Sequence, residues 1–303
     1  MRYDGRVALV TGSGRGLGRS HARFLASRGA LVVVNDMGSE VDGTGRSDEV
    51  ADQVVEDIRA AGGEAVADYH DVATTDGAIG AVETTMDAYD KIDIVVNNAG
   101  ILRDRTLAKL APDDFDAVVA GHLSSSAYVT HAAWPYLRDR SYGRVVFTTS
   151  AAGLYGNFGQ ANYAAAKMAL VGLMNTLALE GEPRNVRVNT IAPVAATRMT
   201  EPLMTPEVLS AMVAEYVTPV VGWFCSEDCS ANGVVVEAGA GHFALVEVME
   251  GAGYTFTDPG SVSPDDIAAH WGEIADMSAA RPFADANSAV GKVLAAHQSA
   301  KAD

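Results

Sequence analysis

Short runs of Val, Ile and Leu alternate along the chain with longer segments in which apolar residues recur at helical spacing. The runs are "RVALVTG" from residue 6, "ALVVVND" from 30, "EAVADYH" from 64, "IDIVVNNAG" from 92, "GRVVFTTS" from 143, "NVRVNTIAP" from 185 and "GVVVEAG" from 233, which closes the series. Strands of continuous aliphatic residues suit a sheet buried on both faces. Helices are expected over 16–29 and 48–61, with a polar loop at 37–47 between the second strand and its helix. Such strand–helix alternation predicts an α/β fold with a doubly wound parallel sheet. One domain is expected over 1–242, with no linker, repeat or low-complexity tract to divide it. Residues 243–303 read as loop and short helices, for example "PDDIAAHWGEIADM", and are expected to form a C-terminal extension packed on that domain, with Trp271 as an anchor.

Composition narrows the partners. The 303 residues carry 22 basic and 39 acidic side chains, a formal charge of −17. That balance argues against nucleic acid or an anionic membrane as partner, since both require cationic patches. It leaves room for an anionic small molecule held locally by backbone amides and a few arginines. Cys225 and Cys229 lack the further Cys or His that a zinc site needs, so they read as free thiols with no metal bound. No apolar run is long enough to cross a bilayer, no signal peptide precedes the first strand, and "SAKAD" is not a peroxisomal address. A cytoplasmic location is expected.

The first run ends in "TGSGRGLG", which contains Gly12, Ser13, Arg15, Gly16, Leu17 and Gly18. A chain leaving a strand, admitting a pyrophosphate to its backbone and starting a helix whose amides face that anion needs glycine where a β-carbon would intrude. A glycine-rich turn between a strand and a helix, at the head of an alternating sheet, points to a dinucleotide and hence a Rossmann-type arrangement. The second run ends at Asp36, where a carboxylate would accept hydrogen bonds from an adenosine ribose diol and repel a 2′-phosphate. NAD is therefore expected over NADP, although Arg15 could serve a 2′-phosphate and Asp36 could also be an ordinary turn residue. Asp71 and Val72 end the third run, where they either meet the adenine edge or merely turn the chain.

In "NYAAAKMAL" a phenol and an amine stand four residues apart, Tyr163 and Lys167, with alanines between them. On a helix, positions four apart stack one turn above the other and share a space. By themselves they could equally be a core tyrosine beside a snorkelling lysine.

The chain resembles the short-chain dehydrogenase/reductase family, by "TGSGRGLG", by "NNAG" at 97–100, and by Ser150 followed thirteen residues later by Tyr163 and then Lys167. The resemblance implies that the Tyr163 phenol is the general acid/base, that Lys167 holds the nicotinamide ribose and lowers the phenol's pKa, and that the Ser150 hydroxyl orients the reacting oxygen. It also implies that Asn98, Ala99 and Gly100 face the cofactor. An unperturbed phenol titrates near 10, so a nearby cation is what such chemistry would require. "VVVNDMG", "NNAGILRDR", "GLYGNFGQANYAAAKMALVGL" and "EYVTPVVGWFC" resemble one branch of that family, the (3R)-hydroxyacyl-CoA dehydrogenase units of multifunctional enzymes. That likeness implies NAD-dependent oxidation of a fatty or steroid-derived 3-hydroxyacyl-CoA to the 3-oxoacyl-CoA, in a homodimer, with a tetramer as the larger option.

Two departures from the wider family stand out. Where the family has a catalytic asparagine, "GHLSSSAYVT" has His122, which either takes a place beside the proton relay or packs its helix. After the sixth run the usual Pro-Gly is Pro193-Val194, and Thr197 sits one residue early; both Pro193 and Thr197 are candidates for the nicotinamide wall. "YGNFGQAN" precedes the tyrosine helix, so Asn157, Phe158 and Gln160 are candidate substrate contacts, or plain loop residues. Two other readings stay open: a hydroxysteroid or other secondary-alcohol dehydrogenase acting without CoA, and an NAD-sensing protein without turnover. The sensor has no use for the Ser150, Tyr163 and Lys167 set.

Overall fold

The structure, a computed structural model, describes residues 1–195, 205, 209 and 212–300. Seven strands follow the aliphatic runs: β1 (Val7–Thr11), β2 (Leu31–Asn35), β3 (Glu64–Asp68), β4 (Ile94–Asn97), β5 (Gly143–Thr148), β6 (Val186–Pro193) and β7 (Val235–Gly239). They lie in the order β3-β2-β1-β4-β5-β6-β7, and every neighbouring pair is parallel. All residues of β1, β4 and β5 are buried, as expected of strands covered on both faces. The helices are α1 (Gly16–Ser27), α2 (Glu49–Ala60), α3 (Thr75–Tyr89), α4 (Pro112–Val119), α5 (Ser125–Asp139), α6 (Ala151–Tyr155), α7 (Ala161–Gly181) and α8 (Thr218–Cys225). This is the Rossmann-type doubly wound sheet.

The run at 233–239 does not close the sheet. An eighth strand, β8 (His242–Val246), lies beside β7 at the edge. Ala240 and Gly241 between them both have positive φ, +50° and +77°. That is the signature of a two-residue hairpin turn, and so short a link can only join antiparallel strands. The edge location leaves Phe243 and Leu245 exposed.

Strand order reverses between β1 and β4. The chain leaves β1 outward through β2 and β3, then returns to start β4 on the other side. The carboxyl ends of these two strands therefore flank a crevice, which is where open α/β sheets bind ligands.

Residues 246–303 form a second compact unit by themselves; its described residues include the α-helices α9 (Pro264–Ala269), α10 (Trp271–Ile274) and α11 (Ala286–Ala300). Ser263 and Asp266 make a reciprocal capping box at the start of α9. Tyr254 stacks on His270 at 4.0 Å, and Lys292 pairs with Glu250 at 2.9 Å. None of its described residues is buried, and Trp271, expected to anchor packing, is 60% exposed.

Candidate active site

Three consecutive residues at the end of β5 fasten α7. The Thr148 carbonyl accepts from Lys167 Nζ at 2.5 Å, and the Thr149 hydroxyl donates to the Lys167 carbonyl at 2.6 Å. The Ser150 oxygen caps α6 by accepting from Ala152 N at 3.2 Å, and its hydroxyl acts on the Tyr163 phenol. Ser150, Tyr163 and Lys167 therefore share one wall of a cavity of about 970 Å³. Asp36, Asp71, Val72 and Pro193 line the same cavity, as do Arg15, Gly16 and Leu17 of the glycine turn.

Burial sets the electrostatics. Lys167 is 4% exposed, has a single carbonyl as hydrogen-bond partner among the described residues, and is pushed down to about 7 by desolvation. The Tyr163 phenol lies above its ordinary value, chiefly through burial; the Ser150 hydroxyl pulls it down and the Asp104 charge pushes it up. The expected lowering of the phenol by Lys167 is therefore not what the described residues produce by themselves. The physical reason is that a lysine without a carboxylate partner, taken out of water, loses much of its own charge.

His122 sits in a single π-helical turn, Ala120–Ser124, between α4 and α5. Its Nε2 faces the Ile101 carbonyl at 2.8 Å, and its ring stands edge-on to Tyr163 with centroids 5.1 Å apart. Burial, and then the Lys167 charge, hold it well below the usual histidine value. The imidazole is neutral, and since a carbonyl only accepts, Nε2 carries the proton. Nδ1 is left as a bare acceptor, buried without a partner among the described residues. Gly100 explains itself here, because a β-carbon at 100 would collide with the His122 ring.

The asparagine of the "NNAG" run braces the glycine turn from the inside. Asn98 Nδ2 donates to the Gly12 carbonyl at 2.9 Å, and a β-carbon on Gly12 would come within 2.7 Å of the Ala99 Cα. Gly16, by contrast, has φ +53° and open space where a β-carbon would point, so it keeps the mouth of the turn clear. Asp36 accepts from Gly14 N at 2.8 Å and Gly38 N at 2.7 Å, which ties the end of β2 to the turn. Gly14 escaped the sequence reading. A β-carbon there would press on Asp36 and Val50, a contact visible only once the end of β2 and the start of α2 are in place.

Three candidates fall elsewhere. Ser13 is fully buried and turns its hydroxyl inward to the Val10 carbonyl at 2.7 Å, because the tight turn uses it as a brace. Gly18 packs against Gly12 and Asn98 rather than lining the cavity. Phe158 is 90% exposed and does not line it either, since its loop swings the ring to the surface. Thr197 lies outside the described residues. Asn157, Gln160, Ala99 and Gly100 do line the cavity.

The loop at 37–47, read only as polar, folds over the cavity. The Leu102 amide donates to the Val41 carbonyl at 2.9 Å and Arg103 Nε to the Asp42 carbonyl at 2.9 Å. Nothing in its composition announces this, because both contacts are to backbone. Among the described residues no group of three His, Cys, Asp or Glu could hold a metal, and Cys225 and Cys229 are free and buried. No helix of the described residues is long and apolar enough to cross a membrane.

The short chain dehydrogenase family profile matches residues 6–207, two thirds of the chain. The chain belongs to the short-chain dehydrogenase family. Like the family's other members it is an oxidoreductase. A protein of Mycobacterium tuberculosis named as a short-chain type dehydrogenase/reductase is 50% identical over 91% of this chain and 96% of its own length. The structure of full-length peroxisomal multifunctional enzyme type 2 from Drosophila melanogaster superimposes with a TM-score of 0.84 at 39% identity, covering 100% of this chain. The chain spans 51% of that larger protein. A 3-oxoacyl-[acyl-carrier-protein] reductase of Synechocystis is 41% identical over 71% of the chain and 84% of its own length.

Proposed function

We propose that this short-chain dehydrogenase is NAD-dependent and interconverts a 3-hydroxyacyl-CoA, fatty or steroid-derived, with the 3-oxoacyl-CoA. The observation that carries the reading is one cavity with Tyr163, Ser150 and Lys167 on one wall and the Asp36 carboxylate at the glycine turn. The chain's own residues fit a dinucleotide: the open mouth at Gly16, the Arg15 and Leu17 backbone beyond it, and a carboxylate where a ribose diol needs acceptors. Gly12, Gly16 and Leu17 would hold the pyrophosphate, Asp36 the adenosine ribose, and Asp71 with Val72 the adenine edge. Asn98, Ala99, Gly100 and Pro193 would border the nicotinamide, with Lys167 on its ribose. When bound, the oxidised nicotinamide accepts the hydride and brings a positive charge that favours the phenolate.

The remaining work belongs to side chains. Ser150 donates to the oxygen at the reacting carbon and orients it. Tyr163 takes the hydroxyl proton in oxidation and returns one to the carbonyl oxygen in reduction. Lys167, with donors to spare beyond Thr148, binds the ribose and supports the phenolate. Asn157 and Gln160 border the acyl chain or thioester. Likeness to a multifunctional enzyme over the full chain and to a 3-oxoacyl reductase over most of it supports the acyl substrate. A homodimer suits the exposed Tyr128 and Tyr136 of α5 and Met168 and Leu179 of α7.

Formation of NADH from a panel of short, long and steroidal 3-hydroxyacyl-CoA substrates tests this directly. The expected result is a higher kcat/KM for the thioesters than for the corresponding free acids and free steroids; preference for the free compounds overturns it. NAD should be preferred over NADP, and Asp36→Ser should narrow that preference by about tenfold or more.

A further inference from the structure

We propose that Asp104 is a positioning residue for Tyr163: through Gln160 it fastens the start of α7 to the loop after β4, and it brings a carboxylate charge to bear on the phenol. The inference rests on the reading of Tyr163 as the proton donor and acceptor.

The tie is explicit. Asp104 Oδ2 accepts from Gln160 Nε2 at 2.6 Å, and Gln160 Oε1 accepts from Asn157 Nδ2 at 2.8 Å. Gln160 is the N-cap residue of α7, and its backbone is bridged to Arg105, the neighbour of Asp104. Tyr163 follows three residues later, so whatever holds Gln160 also places the phenol. A carboxylate beside a helix N-terminus is favourably placed on electrostatic grounds as well.

The choice of side chain is informative. An amide at 104 would offer Gln160 the same acceptor. The carboxylate instead leaves Oδ1 buried without a partner among the described residues, an arrangement that costs stability. What the carboxylate adds is charge, and it opposes ionisation of Tyr163. The other groups that face the phenol are accounted for. Ser150 acts on it from the end of β5 and lowers its pKa, His122 is neutral and edge-on, and Lys167 Nζ lies 5.6 Å from the ring centroid. Arg103 and Asp114, next to Asn162, neutralise each other at 3.1 Å. Asp104 is the one negative group acting on the phenol among the described residues. Its consequence is a tyrosine kept protonated to higher pH, which favours its role as proton donor during reduction.

Asp104→Asn separates charge from hydrogen bond, because the amide oxygen still accepts from Gln160. Two measurements follow. In [13Cζ]tyrosine NMR of the protein without dinucleotide, the resonance absent from Tyr163→Phe identifies the residue. It should titrate in Asp104→Asn lower by about half a pH unit or more. In kinetics, acetoacetyl-CoA reduction by NADH and (R)-3-hydroxybutyryl-CoA oxidation by NAD should both have their pH limbs moved down by the same amount. Tm should not fall. Asp104→Ala, which breaks the tie as well, should lower kcat by about tenfold at the pH optimum. An unchanged NMR titration in Asp104→Asn overturns the proposal. If the NMR titration moves while the kinetic limbs stay, the charge effect of Asp104 stands and the assignment of Tyr163 as acid/base is what fails.

Discussion

A buried cation sits near each end of strand β5, Arg144 of the strand itself and Lys167 of α7, and the two are treated differently. At the start of the strand Arg144 is 1% exposed, yet every nitrogen is used. Nε donates to Ser226 O at 3.0 Å, Nη1 to Gly143 O at 2.8 Å and Asn185 O at 3.0 Å, and Nη2 to Glu227 O at 3.4 Å. The guanidinium also lies 4.3 Å from the centroid of the Tyr142 ring. Ser226 follows the last residue of α8, so the cation sits at the negative end of that helix. At the other end of the strand Lys167 is similarly buried and, among the described residues, reaches only Thr148 O. An ammonium has three protons to donate. The chain completes the first cation's surroundings and leaves the second's unfinished, as it does for His122 Nδ1. Buried polar groups are normally satisfied, so the incomplete surroundings of Lys167 and His122 support the proposed site at this end of the sheet.

The sharpest way to break this comparison is to remove each cation. Lys167→Met should lower kcat/KM by about 10³-fold. Because it also removes a poorly solvated charge, the protein without cofactor should melt higher, by roughly 2–8 °C. A fall in both activity and Tm would make Lys167 a structural residue like Arg144. Tyr163→Phe should cost about the same in turnover while NAD binding, measured by calorimetry, persists. Arg144→Met should do the reverse, with stability to urea down by about 2–4 kcal/mol and turnover per folded molecule preserved.

A pH series sharpens it further. The folded-state value of Lys167, about 7, lies below the free-lysine value of 10.5, so below 10.5 the unfolded chain holds the proton more tightly. Lys167 therefore costs stability most at and below about pH 7, and this cost fades as pH rises toward 10.5. The Tm advantage of Lys167→Met should be largest near neutrality and shrink with rising pH; a pH-independent advantage would contradict the burial of a titrating lysine. The smallest effect is expected from His122→Asn, whose amide can still donate to the Ile101 carbonyl. A loss of kcat/KM under about tenfold is expected, and a larger one would mean that the bare Nδ1 matters to the proton path.

Legibility in the sequence followed distance along the chain. Strand–helix alternation, the glycine turn and the Tyr163–Lys167 spacing are local patterns, and they are readable because periodicity and backbone sterics act over a few residues. The hairpin to β8 was missed because Ala240 carries no turn signal, although Gly241 does. Thr148 and Thr149 look like ordinary strand-end residues until α7 packs on them, eighteen and nineteen positions away. Ser13 and Phe158 show the opposite error. Each sits in the right segment, but side-chain direction is decided by neighbours, which turn one hydroxyl inward and one ring outward.

By itself the amino-acid sequence determined the layered fold and which side chains could meet a dinucleotide. Only the tertiary structure decided how those groups are charged and held: a lysine stripped of water, a neutral imidazole with one bare nitrogen, and a carboxylate leaning on the phenol through a glutamine. Residue types and spacings act along the chain, whereas desolvation and hydrogen-bond satisfaction depend on segments brought together from far apart in it.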